Sequence, residues 1–505
     1  MAVLGYVAFA SGGPAVHGFR YGVAAAEMTS NSALTWARPD TRGVYTAELA
    51  VGRGFRRLVR TVRVVASRAN DLTVQTLFRG LRSNTTYYYR FVGAAHRAAS
   101  AVGRLRTAPP PDANVTVRFA WSGDADGRPS PGSSRPMFGD MAVYGEMARE
   151  RNDFNVNLGD TIYSGSPYSS VAAKWAKYRR NLSFGNYQRV RGATGMYNQW
   201  DDHEFINDFS RPEFGTRLYR AGERAFRDYM PVHYQPSTGI YRSFRWGRNL
   251  ELFFLDERSF RSAKASAGHR CENSLTGVPD GAPTAPPAIR NRLASLDREF
   301  AQPLPRTCLK AINDPRRTML GRAQLTRFER AIRRSTATWK VIVNEVPIQR
   351  FYLTPYDRWE GYAAERAKLL AFLHRHVRHA VFLSTDVHAD LAGPLRSGAG
   401  DARQPSGSGS GSWEFTTGPV ATGTFAHVLD NTLHKPGAGR LITARIFDRP
   451  APGGTGMRCA NTSTRSFGEV TVTAHSLTVR LLDARGRLIR DASGSICPAI
   501  QLSSR

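Results

Sequence analysis

Short apolar runs that stop at carboxylates recur along the chain, and each predicts a strand. Val115–Trp121 leads to Asp124, Phe154–Leu158 to Asp160, Glu251–Leu255 to Asp256, and Ala380–Ser384 to Asp386. Runs this short, rich in β-branched and aromatic residues, fit strands better than helices. Between them the spacing turns helical. Residues 140–151 place Met141, Tyr144 and Met147 at i, i+3 and i+6, and 169–180, Arg322–Arg334 and Glu365–His376 are further helices. Trp339–Asn344 is another strand, and Phe467–Thr473 with Ser476–Leu482 has the pattern of a hairpin in a β-rich remainder. Strands alternating with helices describe a layered α/β unit whose ligand site lies beyond the carboxyl ends of the strands.

Residues 1–107 differ, with short strands separated by turn residues at sandwich-like intervals: Ser32–Arg38, Tyr45–Val51 and Thr86–Gly93. The run Leu81–Arg90 resembles the hydrophobic-turn-tyrosine signature of fibronectin type III-like domains. No catalytic constellation falls here, so a structural or surface-contact module is expected. The prolines of 108–113 make a stiff linker, and 114–505 form the second unit. Within it, 262–315 is a Pro-, Ala- and Gly-rich insertion, and Gly398–Ser412 is a Gly/Ser-rich stretch.

Composition narrows the partners. Lysine and arginine number 70 against 41 acids, a formal charge of +29, and only seven of the 70 are lysines. The arginines are scattered without an aromatic-interleaved tract, which argues against nucleic acid as a specific partner. Anionic cell-wall, lipid or phosphate-rich substrates fit the charge, as does a simple compositional bias. Cys271, Cys308, Cys459 and Cys497 are widely spaced and even in number. Two bridges, Cys271–Cys308 and Cys459–Cys497, are the simplest pairing and imply an oxidising, extracytoplasmic compartment; four free thiols are the alternative. The opening Met1–Tyr6 lacks a basic and then apolar leader pattern, and no apolar stretch is long enough to span a membrane.

The densest chemistry is Trp200-Asp201-Asp202-His203-Glu204. Carboxylates packed this closely repel one another unless protons or cations neutralise them. Three more acidic loops, at Asp124, Asp160 and Asp386-Val387-His388, make cations the stronger reading over simple turn carboxylates. Oxygen donors with one or two imidazoles and no thiolate suit hard or borderline ions. Asp386 and His388, two apart, share one side in an extended stretch. The tract His374-Arg375-His376-Val377-Arg378-His379 is discounted because its arginines repel a cation, and His233 and His269 are taken as structural.

Gly159-Asp160-Thr161-Ile162-Tyr163, Gln199–Glu204 with Asn207, Leu255-Asp256-Glu257-Arg258-Ser259 and Asp386-Val387-His388-Ala389 together resemble the motif set of the PhoD-like alkaline phosphatases, within the calcineurin-like metallophosphatases. The resemblance covers nearly the whole chain. It implies two facing β-sheets flanked by helices, an α/β metallophosphatase core preceded by the all-β sandwich, in place of a single doubly wound sheet. It also implies a secreted, metal-dependent phosphoric ester hydrolase. Asp124, Asp160, Tyr163, Asp201, Asp202, Asp386 and His388 would be the metal ligands. His203 would assist the leaving group or ligate. Arg258 would hold a phosphate oxygen or else pair with Asp256 or Glu257. Iron with calcium is the implied metal set, with manganese, magnesium or zinc as alternatives. Where the family commonly has Gly-Ser-Cys-Gln, this chain has Ser122-Gly123-Asp124-Ala125, a carboxylate for a thiolate. Two other readings are a diester-preferring phosphodiesterase or phospholipase, and a catalytically weak protein that binds cell-wall polymers.

Overall fold

The computed structural model describes residues 17–395, 412–450 and 453–504. The opening Met1–Tyr6 and the Gly/Ser-rich positions 398–411 lie outside the described residues.

Residues 23–106 form two antiparallel sheets. One has the order Val23–Ala26, Ser32–Ala37, Val74–Arg79, and the other Leu58–Ala66, Gly43–Ala50, Thr86–Val92, Gly103–Arg106. Period-two alternation sets their faces: Tyr87, Tyr89 and Phe91 are buried while Thr86, Tyr88 and Arg90 are only partly covered. The Arg82 backbone N–H donates to the Tyr87 hydroxyl at 2.9 Å, pinning the strand to the preceding turn.

Two larger sheets follow. The first is six-stranded, ordered Gly195–Gln199, Phe154–Leu158, Val117–Ser122, Ser466–Val472, Ser476–Asp483, Ile500–Ser503. The second is seven-stranded, ordered Arg242–Trp246, Leu250–Phe254, Trp339–Val343, Ala380–Ser384, Trp413–Thr416, Asp390–Pro394, Cys459–Asn461. Phe119, Trp121 and Val156 of the first pack in one apolar cluster with Leu252, Val341 and Val381 of the second, so the sheets face each other. The Trp121 indole N–H crosses between them to the Ser384 carbonyl at 3.3 Å. The opposite side of the second sheet, through Phe253, Ile342 and Phe382, lies under helices Arg322–Arg334 and Ala363–His376. Alternate residues of one strand therefore serve two cores.

The apolar cluster does not stop at the proline linker, because Ala25, Met28, Tyr89 and Phe91 belong to it. Tyr197 donates to the Met28 carbonyl at 2.6 Å, and the Trp36 indole to the Asp228 carbonyl at 2.8 Å.

Several elements depart from expectation. The helix expected over 140–151 is only Ala142–Met147, because Met141 adopts a left-handed backbone (φ 60°) and blocks its start. Residues 425–447, expected to be β-rich, are helical, with Phe425–Thr432 and Ala438–Ile442 as α-helices. The helix Arg211–Tyr229 was hidden by Pro212 and Gly215 at its start, although Leu218, Gly222, Ala225 and Tyr229 form a buried stripe. Both expected bridges are present, Cys271–Cys308 within the insertion and Cys459–Cys497 tying the last sheet strand to the tail.

Candidate metal centre

Six apolar strands release their chains at one end of the two sheets, and the releasing loops carry the charges. Phe154–Leu158, Val117–Ser122 and Gly195–Gln199 run parallel, as do Leu250–Phe254, Trp339–Val343 and Ala380–Ser384. Their carboxyl ends therefore lie together. The turns are tight: Asp124, Asp160, Asp386 and His388 all take left-handed backbones, with φ of 63°, 48°, 69° and 54°. Asp and His enter this region more readily than most side chains. Gly159 (φ 91°) allows the loops to meet, since a Cβ there would lie 2.7 Å from the Asp201 nitrogen and 2.8 Å from the Trp200 carbonyl carbon.

The turns bring donor atoms within 4.8 Å of one another in overlapping groups. These are Asp124, Asp160, His388; Asp160, Asp202, His203; Asp201, Asp202, Asp386; and Asp202, Asp208, Asp357. Asp160 is common to two groups and Asp202 to three. Both oxygens of Asp124, Oδ2 of Asp201 and Oδ1 of Asp202 are buried without a hydrogen-bond partner. Unpaired buried carboxylate oxygens are costly. Burial and the Asp201 and Asp202 charges push Asp124 well above the usual carboxylate range. Burial together with Asp202, Asp201 and Asp124 does the same to Asp160. Burial pushes Asp201 up to about 7, against the pull of Arg258. The donor set of carboxylates, imidazole and phenol fits hard or borderline cations, so the residues present suit the metals the sequence suggested.

Tyr163 sits beside the first group, against its member His388. The Tyr163 hydroxyl lies 3.3 Å from His388 Nε2, and its ring packs 4.2 Å from that of His203. Burial, then His203, holds His388 down at about 4, so its imidazole is neutral and able to ligate. His388 Nε2 is 3.6 Å from Asp124 Oδ1.

Arg258 is fully buried and its guanidinium faces Asp201, Asp357 at 2.7 Å and Asp386 at 3.3 Å. The ion pair considered with Asp256 or Glu257 does not form. Asp256 instead accepts the Ile240, Arg258 and Ser259 backbone N–H groups, and Glu257 accepts the Trp359 indole.

Sequence reasoning passed over three supports. Glu204 accepts backbone N–H bonds from Asp160 (3.1 Å), Thr161 (2.7 Å) and Asp201 (2.8 Å), clamping two of the acidic loops with one carboxylate. Asp357 braces Arg258 and Arg261. Lys264 reaches Asp208 at 2.8 Å. The discounted histidines stay outside every candidate group among the described residues: His379 faces the Thr338 carbonyl, His233 pairs with Glu27, and His269 bonds Glu272, three residues on.

Known proteins resemble this chain in sequence and in fold. A family model described as "PhoD-like phosphatase" matches residues 130–446, and one described as "PhoD-like phosphatase, N-terminal domain" matches residues 8–109. Alkaline phosphatase D of Bacillus subtilis (strain 168) is 25% identical over 430 residues, covering 75% of this chain and 65% of that protein, so the match spans less than two thirds of the relative. A solved structure titled "Structure of PhoD" superposes with a TM-score of 0.72 at 21% identity, covering 98% of this chain and 94% of that one. A purple acid phosphatase from yellow lupin (Lupinus luteus) seeds superposes at 0.57 with 11% identity, covering 96% of this chain and 74% of that one.

Proposed function

The chain belongs to the PhoD-like phosphatase family, and from that premise we propose that it is a secreted phosphoric ester hydrolase working at a centre of two or more cations. The observation that carries the proposal is the set of buried, unpartnered oxygens on Asp124, Asp201 and Asp202 within ligand distance of their neighbours.

Asp124, Asp160, Tyr163 and His388 would hold one cation, and Asp160, Asp201, Asp202 and Asp386 the others, with Asp160 and Asp202 shared. Ferric iron beside the phenolate and calcium among the carboxylates are the proposed pair, with manganese, magnesium or zinc as alternatives. When bound, such ions supply Lewis acidity toward phosphoryl oxygens and acidify water at neutral pH. The chain's own residues do the rest. Glu204 keeps the Asp160 and Asp201 loops in register by its three backbone contacts. Arg258, itself held by Asp357, orients Asp201 and Asp386; to touch a substrate oxygen it must exchange one of these partners. His203 presents its ring beside Asp160 and Asp202, where it would either ligate a cation or, through a ring N–H, protonate the leaving oxygen.

The two bridges support an extracytoplasmic setting, and among the described residues no helix is long and apolar enough to cross a membrane. The three- and four-stranded N-terminal sheets and the Tyr87 contact support a fibronectin III-like module over 1–107, joined by 108–113 to the catalytic unit 114–505. Anionic wall or lipid esters are the proposed natural substrates. Parallel rates on p-nitrophenyl phosphate and its bis-ester, with metal analysis of the same sample, test the proposal. Hydrolysis of either ester by iron-containing enzyme, with a visible band that Tyr163→Phe abolishes, supports it. A protein that turns over neither ester would refute it, and an active, iron-free enzyme would remove the assigned metal.

A further inference from the structure

The stretch leaving the metal loops presents two sides to two different places. Arg258, Arg261 and Lys264 reach the carboxylates Asp201, Asp357 and Asp208. Between them, Ser262 and Ala263 line a cavity of about 510 Å³ inside the insertion. Its other walls carry Arg270, Thr307, Lys310, Asp314, Arg316 and Arg317. Four cationic side chains thus face one carboxylate. Asp314 is committed to Arg316 at 2.8 Å. Arg317 donates to the Ala311 and Ala263 carbonyls at 3.0 and 2.8 Å while its guanidinium covers the Tyr362 ring. Arg270 and Lys310 have no ion-pair partner among the described residues.

The Cys271–Cys308 bridge ties together the backbones that carry those two exposed side chains. Arg270 precedes one half-cystine, Lys310 stands two residues after the other, and the Thr307 hydroxyl donates to the Arg270 carbonyl at 2.7 Å. Both cysteines are fully buried in a small cluster with Ile312, Tyr356 and Ala311, the last also lining the cavity.

We propose that this cavity is a binding site for a small polyol carrying several phosphoryl or sulfuryl groups. A guanidinium fork and an ammonium complement such oxygens. The Thr307 hydroxyl, whose proton goes to the Arg270 carbonyl, can still accept from a ligand hydroxyl, and Ser262 Oγ, which accepts the Thr318 N–H at 3.0 Å, can still donate to one; no aromatic ring is among the lining residues to stack a nucleobase. The proposal rests on this geometry alone and does not require hydrolysis at the metal centre.

Calorimetric titration of the full chain with myo-inositol hexasulfate, whose sulfate esters contain no phosphorus to be attacked, tests it. Saturable one-to-one binding is expected. The Arg270→Ala/Lys310→Ala variant should weaken binding by about tenfold or more, the loss expected from two charge-assisted contacts. The same variant should leave p-nitrophenyl phosphate turnover and the melting temperature unchanged. Arg56→Ala/Arg57→Ala, which removes the same charge from an exposed turn of the N-terminal sheets, should leave affinity within about twofold. Arg270→Glu alone should weaken binding in the same direction as the double variant. Absence of saturable binding would overturn the proposal. So would equal weakening by both double variants, which would mean unspecific attraction, or loss of binding in Asp202→Asn, which would place the anion at the metal centre.

Discussion

Glu27 and Asp124 are equally buried, each 1% exposed, yet their surroundings are opposite. Glu27, where the N-terminal sheets meet the six- and seven-stranded sheets, accepts from Arg242 at 2.9 Å and faces His233 at 2.8 Å. Burial opposes its ionisation, but Arg242 and His233 hold its carboxyl below the ordinary 4.5. Asp71, in the same junction, is met by Arg38, Arg179 and the Tyr229 hydroxyl and is likewise held down, against the effect of burial. Asp124 has no hydrogen-bond partner for either oxygen, and its nearest ion-pair neighbour is a neutral imidazole. A carboxylate buried to join two parts of a chain is matched within the chain. One left unmatched among others of its kind is completed from outside, and cations are the completion this donor set suits.

The comparison breaks first at Asp202, the member of three donor groups. Asp202→Asn should lower kcat by about three orders of magnitude, because it withdraws several kcal/mol of transition-state stabilisation. Steady-state kinetics beside a thermal melt checks this, and near wild-type turnover would remove the cluster from the chemistry. Glu27→Ala should do the reverse. Leaving Arg242 buried without its carboxylate should cost about 3–5 kcal/mol of stability, while kcat/KM and metal content of the folded protein stay within about twofold. Urea melts of both variants make the contrast direct. A smaller effect follows from pH. The folded pKa values of Glu27 and Asp71 lie below the ordinary 4.5 and 3.8. Their contribution is therefore complete above those values and is lost as pH falls through the lower folded ones. Wild type should lose stability on acidification below about pH 4.5 more steeply than Glu27→Ala. Parallel slopes would show that Glu27 does not govern acid stability.

The acidic loops at Asp124, Asp160 and Asp386 were legible because each closely follows an apolar run, and strand ends in layered sheets converge; Asp201 and Asp202 were legible only as a dense run of charge. Phe154–Leu158, Arg322–Arg334 and Ala380–Ser384 form with the expected bounds for the same reason: their patterns are short, strong and bounded. Asp357 was not legible. It arrives at the end of a one-turn helix at Pro355 with no apolar run before it, and the partners that give it a place, Arg258 and Arg261 about a hundred residues upstream and the carboxylates Asp202 and Asp208, are all distant in sequence. Glu204 was visible as a carboxylate, but nothing local says that it accepts from Asp160 and Thr161, more than forty residues away. Arg258 shows the same limit, since its nearest acids in sequence turn to other donors while three distant ones surround it.

Metal removal tests the central claim most directly. The native protein should be dialysed against a chelator, its metal content measured, and ester hydrolysis and melting temperature followed on the same sample. The account predicts no hydrolysis, a lower melting temperature because ligands bound only to the folded state stabilise it, and recovery of both on adding the metals found in the native enzyme. Full turnover by protein shown to be metal-free would contradict it.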